Sequence, residues 1–393
     1  MRRFVPSDRM LGISMPPIDR VMGRLAAMRE QGRRVFGMAQ AVPWFMPPER
    51  AMQKLSRRFD DPKLHRYSPD PGYLEVRQAV AEDFRVRRSI DLDPDGELHL
   101  TCGASQAFLS ALLTATSPGD AVAVVEPYYF DHVFAIGFSG LRLVSIPMEE
   151  TGGEWRTPIN AIERILPEVA ALVLVNPGNP TGAVIPDHDL ARIAEAAEKY
   201  GTFLILDETY ERFRFTSDRM HPWMGSHAPG ILTIGSFSKS LGMPGWRLGY
   251  LFGSRDLLEQ AIKVQDSVTI CPPCPAQLLL EAALAEGEWM ERMSEGIRRR
   301  RDLCRDALAA GSGNLEWRQS DGAFFTLAAY PGGMPSEKAA LHVLEEYGIG
   351  TIPGAAFGPA GEGHLRVSFG CLPEEELLPA MEVLGSVRIP RGG

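Results

Sequence analysis

The chain has 393 residues, 45% hydrophobic and 23% charged, a balance that excludes wholesale disorder, collagen-like repeats and a coiled coil, and a length that suits two to three domains of about 150 residues. Lys and Arg number 41 against 50 Asp and Glu, a net charge of −9, which argues against a phosphate-backbone binder because such proteins carry a basic surplus or stripe. Six of the 41 are lysines (Lys54, Lys63, Lys199, Lys239, Lys263 and Lys338), and the five cysteines are an odd number, so amine chemistry has few candidates and a reducing, cytoplasmic setting is expected in place of a disulfide framework.

At the N-terminus, Met1, Arg2 and Arg3 run on to Pro6, Asp8 and Arg9 without the apolar region of a secretory signal. The first 46 residues offer one amphipathic helix, 19–30, and an extended piece. That is too little for a core, so they are expected to pack on a later domain. From about 97 to 252, apolar runs alternate with helical patterns, as βα units around a mainly parallel sheet do. Strands are predicted at 97–102, 121–125, 141–146, 171–175, 202–206, 231–235 and 248–252, with helices at 104–116, 130–138 and 187–200. The apolar run 169–175 has seven residues, far from the roughly 20 that span a bilayer, so no membrane association is expected. Beyond Leu278 the texture changes to a long charged helix (288–310), two short strands (323–328 and 365–369) and a closing helix from Pro373. This reads as a smaller α+β domain. The basic run Arg298–Arg301 interrupts a helix rich in Glu and Asp, so it reads as a solvated face, not a nucleic-acid site.

Chemistry-bearing residues gather where strands end. The 231–235 strand runs into Ser236-Phe-Ser-Lys-Ser240, which sets Lys239 among hydroxyls, with Arg247 eight residues on. The other five lysines sit in charged, surface-like surroundings. An amine beside a cation has a depressed pKa and attacks carbonyls better. The 171–175 strand ends in Asn176-Pro-Gly-Asn-Pro180, and the next strand in Asp207-Glu-Thr-Tyr210. Open α/β sheets bind ligands outside the carboxyl ends of their strands, so Asn179, Asp207, Tyr210 and Lys239 are candidates for one crevice. A tight turn at Asn179 and a helix cap at Asp207 are the structural alternatives.

The ordered set Tyr67-Ser-Pro-Asp-Pro-Gly-Tyr73, Thr101-Cys-Gly-Ala-Ser-Gln106, Pro127-Tyr-Tyr129, Asn176-Pro-Gly-Asn-Pro-Thr-Gly182, Asp207-Glu-Thr-Tyr210, Ser236-Phe-Ser-Lys239 through Arg247, and His364-Leu-Arg-Val-Ser-Phe369 resembles the fold-type I pyridoxal-phosphate enzymes, specifically the class I/II aminotransferases. The resemblance implies an α/β large domain (47–277) with a mainly parallel seven-stranded sheet. It also implies a smaller α+β domain formed by 1–46 and 278–393. It further implies pyridoxal 5′-phosphate as cofactor, with amino-acid and 2-oxo-acid substrates. Lys239 then resembles the lysine that forms the aldimine and shuttles the proton, and Asp207 the carboxylate that pairs with the pyridine nitrogen. Asn179 and Tyr210 match the residues that hold the phenolic oxygen, and Tyr129 the aromatic that stacks on the ring. Gly103, Ala104, Ser105, Ser236 and Arg247 match the phosphate ligands. Tyr67 matches a tyrosine that reaches the phosphate from a neighbouring subunit, which implies a homodimer with shared active sites. Arg366 matches the arginine that grips the substrate carboxylate.

This sequence departs from the family pattern at Ala41, where a glycine is usual, so a methyl group is expected to narrow the carboxylate end of the pocket. Trp44, Phe45, Tyr128 and Phe130 lie near segments that line the family's cleft, which points to a bulky or aromatic substrate side chain. Ser105 stands where one dicarboxylate-using branch has lysine, which disfavours aspartate. His132 matches a position beside the stacking aromatic, and Pro127 and Pro180 match positions often cis. Cys271-Pro-Pro-Cys274 has C-x-x-C spacing but no second pair nearby, so no metal is expected. The expected function is amino-group transfer from an L-amino acid to a 2-oxo acid through Lys239. The alternative is another reaction of the same cofactor, such as β-elimination, cyclisation or oxidative deamination or decarboxylation. A ligand-sensing regulator would need a helix-turn-helix module for which the residues before the fold are too few.

Overall fold

A computed structural model describes residues 4–13, 18–216 and 229–392. Seven strands, β1 (Leu98–Thr101), β2 (Ala121–Glu126), β3 (Arg142–Pro147), β4 (Ala171–Val175), β5 (Phe203–Asp207), β6 (Ile231–Ser236) and β7 (Gly249–Gly253), form one sheet in the order β1-β7-β6-β5-β4-β2-β3. β7 runs antiparallel to its neighbours β1 and β6, and the other pairings are parallel. Both faces are covered, which is why these strands read as near-continuous apolar runs. Alternate residues go to opposite sides. Ala121, Ala123, Leu172, Leu174, Leu204 and Leu206 join one core cluster, while Val122, Val124, Val173, Ile205, Leu232 and Ile234 join another with Phe108.

A second, antiparallel sheet contains β8 (Phe325–Ala329), β9 (Ile352–Pro353) and β10 (His364–Ser368) in the order β8-β10-β9. It has three strands where two are predicted, because β9 is only two residues long. β8 starts later than predicted. Ala323 has φ +59°, a left-handed conformation that an extended strand does not contain. Around this sheet, Phe36, Met38, Phe324, Val367, Leu377 and Leu384 pack in a separate cluster.

The N-terminal helix Ile18–Glu30 packs through Val21, Leu25 and Met28 against Leu327, Leu344 and Ile352, and Phe36 pairs with Ile349. The segment 18–37 therefore lies on the second sheet, whereas the short helix Asp8–Leu11 lies against the helix Phe130–Phe138, where Arg9 donates to the Phe138 carbonyl. A division after residue 277 falls inside the helix Cys274–Leu284, whose Leu278, Leu279 and Leu280 are buried with Leu55, Val76 and Leu100. Among the described residues no helix is long and apolar enough to cross a membrane.

Candidate active site

Because β1, β2, β4, β5 and β6 point the same way, their carboxyl ends open on one side of the sheet. There they deliver the helix Gly103–Ala115, Tyr129, Asn179, Asp207 and Lys239 in turn. A cavity of about 600 Å³ occupies this edge, lined by Ala41, Ala104, Ser105, Tyr129, Asn179, Asp207, Tyr210, Ser236, Lys239, Arg247 and Arg366 among others. The turns at Glu126–Pro127 and Asn179–Pro180 are cis, as is Asn176–Pro177.

Lys239 sits in the short helix Phe237–Ser240 with its side chain half-buried. Burial, Arg366 and Arg247 together bring its pKa down to about 8, so the amine is far more often neutral than an exposed lysine. Asp207, the last residue of β5, is buried. Its Oδ1 accepts from the Thr209 N–H at 2.9 Å and its Oδ2 lies 3.1 Å from His132 Nε2. His132 is held in place by Phe108, stacked at 4.0 Å, and by the edge of Tyr129 at 5.2 Å. Burial raises the pKa of both Tyr129 and Tyr210, so both keep a hydroxyl proton to donate.

At the other end, Arg366 on β10 is 1% exposed. Its Nη1 donates to Asn179 Oδ1 at 3.0 Å and its Nη2 to the Ala39 carbonyl at 2.7 Å, while Nε has no partner. Phe325 and Phe357 lie 5.3 and 5.0 Å from its guanidinium. A buried cation held this way by neutral groups is short of an anion. The cavity supplies the place for one.

The third corner is an array of donors. Ser236 Oγ accepts from the Ser238 N–H at 3.1 Å, and Ser238 Oγ is buried without a partner. Arg247 has φ +54° and donates through Nη1 to the Pro244 carbonyl at 2.9 Å. A Cβ on Gly103, itself at φ +78°, would stand 2.5 Å from Arg247 Nη2. Glycine therefore lets the guanidinium pass over the start of the helix Gly103–Ala115. Two serine hydroxyls, a guanidinium and a helix N-terminus suit a phosphate group, and a neutral-leaning amine, a buried carboxylate and a phenol suit an aldehyde-bearing pyridine ring. The residues present fit pyridoxal phosphate.

Several named residues lie elsewhere. Tyr67 is 76% exposed and does not line the cavity. Trp44 lies against Arg300 at 3.9 Å and Phe45 against Trp289 at 5.3 Å, and Tyr128 borders a smaller cavity. Of the four aromatics proposed from chain proximity to the cleft, Phe130 lines it. Cys274 Sγ donates to the Arg66 carbonyl at 3.1 Å, and among the described residues no group of His, Cys, Asp and Glu could hold a metal. Asp131, Phe134 and Phe138, which belong to none of the sequence motifs, also line the cavity. Their helical spacing from one another is the signal that would have found them.

A family model for aminotransferases of class I and II matches residues 33–384. The chain is 32% identical over 385 residues to an aromatic aminotransferase of Arabidopsis thaliana, covering 95% of this chain and 94% of that one. It is 31% identical over 367 residues to the aspartate/prephenate aminotransferase of Thermus thermophilus, covering 92% and 93%. A solved structure of aspartate aminotransferase from Thermus thermophilus with maleate superposes with a TM-score of 0.88 at 30% identity, covering 98% of this chain and 99% of that one.

Proposed function

The chain belongs to the class I and II aminotransferase family, and from that premise we propose that it moves the amino group of an L-amino acid to a 2-oxo acid with pyridoxal 5′-phosphate held at Lys239. The observation that carries this reading is the pairing of a half-buried, neutral-leaning amine at Lys239 with the buried Arg366, whose guanidinium lacks an anion, across one cavity. The named relatives are aminotransferases, so elimination, cyclisation and oxidative deamination or decarboxylation are not favoured.

Bound here, the cofactor supplies an electrophilic aldehyde carbon and a ring that withdraws electrons. Ser105, Ser236, Arg247 and the N–H groups of Gly103 and Ala104 would bind its phosphate, with Ser238 Oγ as a further donor; the serines, Ala104 and Arg247 line the cavity, and Ser238 Oγ has no other partner. Asp207, aligned by His132 and by the Thr209 N–H, holds a proton at the pyridine nitrogen. Asn179 and Tyr210 would hold its phenolic oxygen, and Tyr129 would stack on its ring. Arg366 accepts the substrate carboxylate in its planar fork and fixes which Cα bond is presented. Ala41 borders that end of the cavity. Lys239 Nζ is the base that takes the Cα proton.

The same reading makes residues 47–277, extended to the end of the helix Cys274–Leu284, the cofactor-binding unit. It gives 1–46 and the rest of the chain to the other unit. It takes the enzyme as a homodimer, in which Tyr67 reaches the neighbouring site.

The test is a single half-reaction: purified holoenzyme mixed with an amino-acid panel and no oxo acid. Stoichiometric pyridoxamine phosphate and the matching 2-oxo acid are expected. Release of ammonia with pyruvate, or of peroxide, would sink the proposal, as would full activity in Lys239→Ala.

A further inference from the structure

Beyond the cofactor's expected place, the cavity is walled by two helices. From Phe130–Phe138 come Asp131, Phe134, Ala135 and Phe138, which fall at i, i+3, i+4 and i+7 and so share one face. From Gly103–Ala115 come Ser105, Phe108 and Leu109, related by the same rule. This two-helix wall is largely apolar and aromatic and carries one carboxylate, Asp131, while Asp19 of the helix Ile18–Glu30 also lines the cavity. Asp131 Oδ2 accepts a hydrogen bond from the Tyr129 hydroxyl, and Oδ1 takes none among the described residues. The cations among the described lining residues are Lys239, Arg247 and Arg366. Each already has a post at the cofactor or at the α-carboxylate, and His132 is engaged by Asp207. Among the described lining residues of this chain none is left for a second substrate carboxylate, and Asp131 would repel one.

We propose that Asp131 sets the amino donor, admitting aromatic amino acids whose ring carries a hydrogen-bond donor, such as the tyrosine hydroxyl or the tryptophan indole N–H, and turning away dicarboxylic donors. The inference rests on the transamination reading above and adds the substrate class to it. The phenylalanine stripe supplies flat apolar contact for the ring, and Asp131 Oδ1 supplies the acceptor. A carboxylate brought beside Asp131 in a partly desolvated pocket would have to protonate or stay out. A site built around a polar partner discriminates strongly against the analogue that lacks it, whereas an apolar wall alone discriminates weakly. The structural alternative for Asp131 is a first-turn acid at a helix N-terminus. That role would affect every donor equally.

The experiment tracks the half-reaction of the holoenzyme by cofactor absorbance, without an acceptor, for L-tyrosine, L-phenylalanine and L-aspartate. It compares the wild type with Asp131→Asn. The wild type is expected to prefer tyrosine to aspartate by about a hundredfold or more and to phenylalanine by about tenfold. In Asp131→Asn the tyrosine-to-aspartate ratio should shrink by roughly tenfold, chiefly through a faster reaction with aspartate, and the tyrosine-to-phenylalanine ratio should shrink through a slower reaction with tyrosine. Asp131→Ser reads the same ratios should the first variant lose its cofactor band. Wild-type protein that takes aspartate as readily as tyrosine, or ratios unchanged in the variants, would overturn this inference while leaving transamination standing. Silence with every donor would overturn both.

Discussion

Lys239 is tuned by its surroundings more than by its neighbours in sequence. Half-buried, and facing Arg366 and Arg247, it is brought down to a pKa of about 8 by desolvation first and by the two guanidinium charges, against 10.5 for an unperturbed lysine. Between those two pH values the unfolded chain binds the additional proton, so this group makes stability rise with pH across the window from about 8 to 10.5. Thermal unfolding of cofactor-free protein should therefore show a rise in Tm across that window that Lys239→Met lacks. If the two curves run parallel, the amine is not perturbed. In activity, Lys239→Ala should lose on the order of 10²–10⁴-fold or more in kcat, because proton transfer at Cα loses its base. Arg366→Lys should raise KM and lower kcat/KM roughly ten- to hundredfold for every α-amino acid, since charge is kept but one charge-assisted bond is lost. A loss confined to one donor would place Arg366 at the substrate side chain instead.

At the scale of elements, the site depends on how each strand hands over to the next turn or helix. Gly103→Ala puts a methyl against Arg247 Nη2 at a positive φ, and should cost about 1–3 kcal/mol while loosening cofactor retention. Equilibrium dialysis and denaturant unfolding measure the two effects. Next to Asp207, the buried pair Arg88–Glu208 (2.5 Å) ties the end of the helix Leu74–Arg88 to the end of β5. Removing one partner in Glu208→Gln strands the other charge and should destabilise by about 3–5 kcal/mol. Urea unfolding that finds less than about 1 kcal/mol would show the pair to be solvated. That helix is absent from the sequence reading because Arg77 and Arg88, both buried, break the apolar stripe by which an amphipathic helix is recognised. β4, by contrast, was legible from 171 to 175 because both its faces are covered and its residues are uniformly apolar. For the same reason the strand ends leading into Asn179, Asp207 and Lys239 marked three residues that line one cavity. The far wall stayed hidden, since proximity along the chain pointed to Trp44 and Phe45, whereas Arg300 and Trp289 draw those rings away.

For the whole molecule, the exposure of Tyr67 and its absence from the lining of its own cavity matter most. If it completes a neighbour's site, mixing inactive Lys239→Ala with impaired Tyr67→Ala under conditions of subunit exchange should restore about a quarter of wild-type activity. Hybrid dimers, half of the population by random pairing, each contain one intact site. A tyrosine acting within its own chain gives no recovery.

The bond from Arg366 to Ala39 spans 327 positions, and the one to Asn179 spans 187. A ribosome releases these groups in a fixed order. The residues suited to the phosphate and to the ring, from Gly103 to Arg247, emerge more than a hundred residues before the arginine suited to the substrate carboxylate. Domains generally fold as units, amino-terminal first, as the chain is made. On the proposed assignment, the growing polypeptide acquires its means of retaining a coenzyme well before its means of recognising an amino acid.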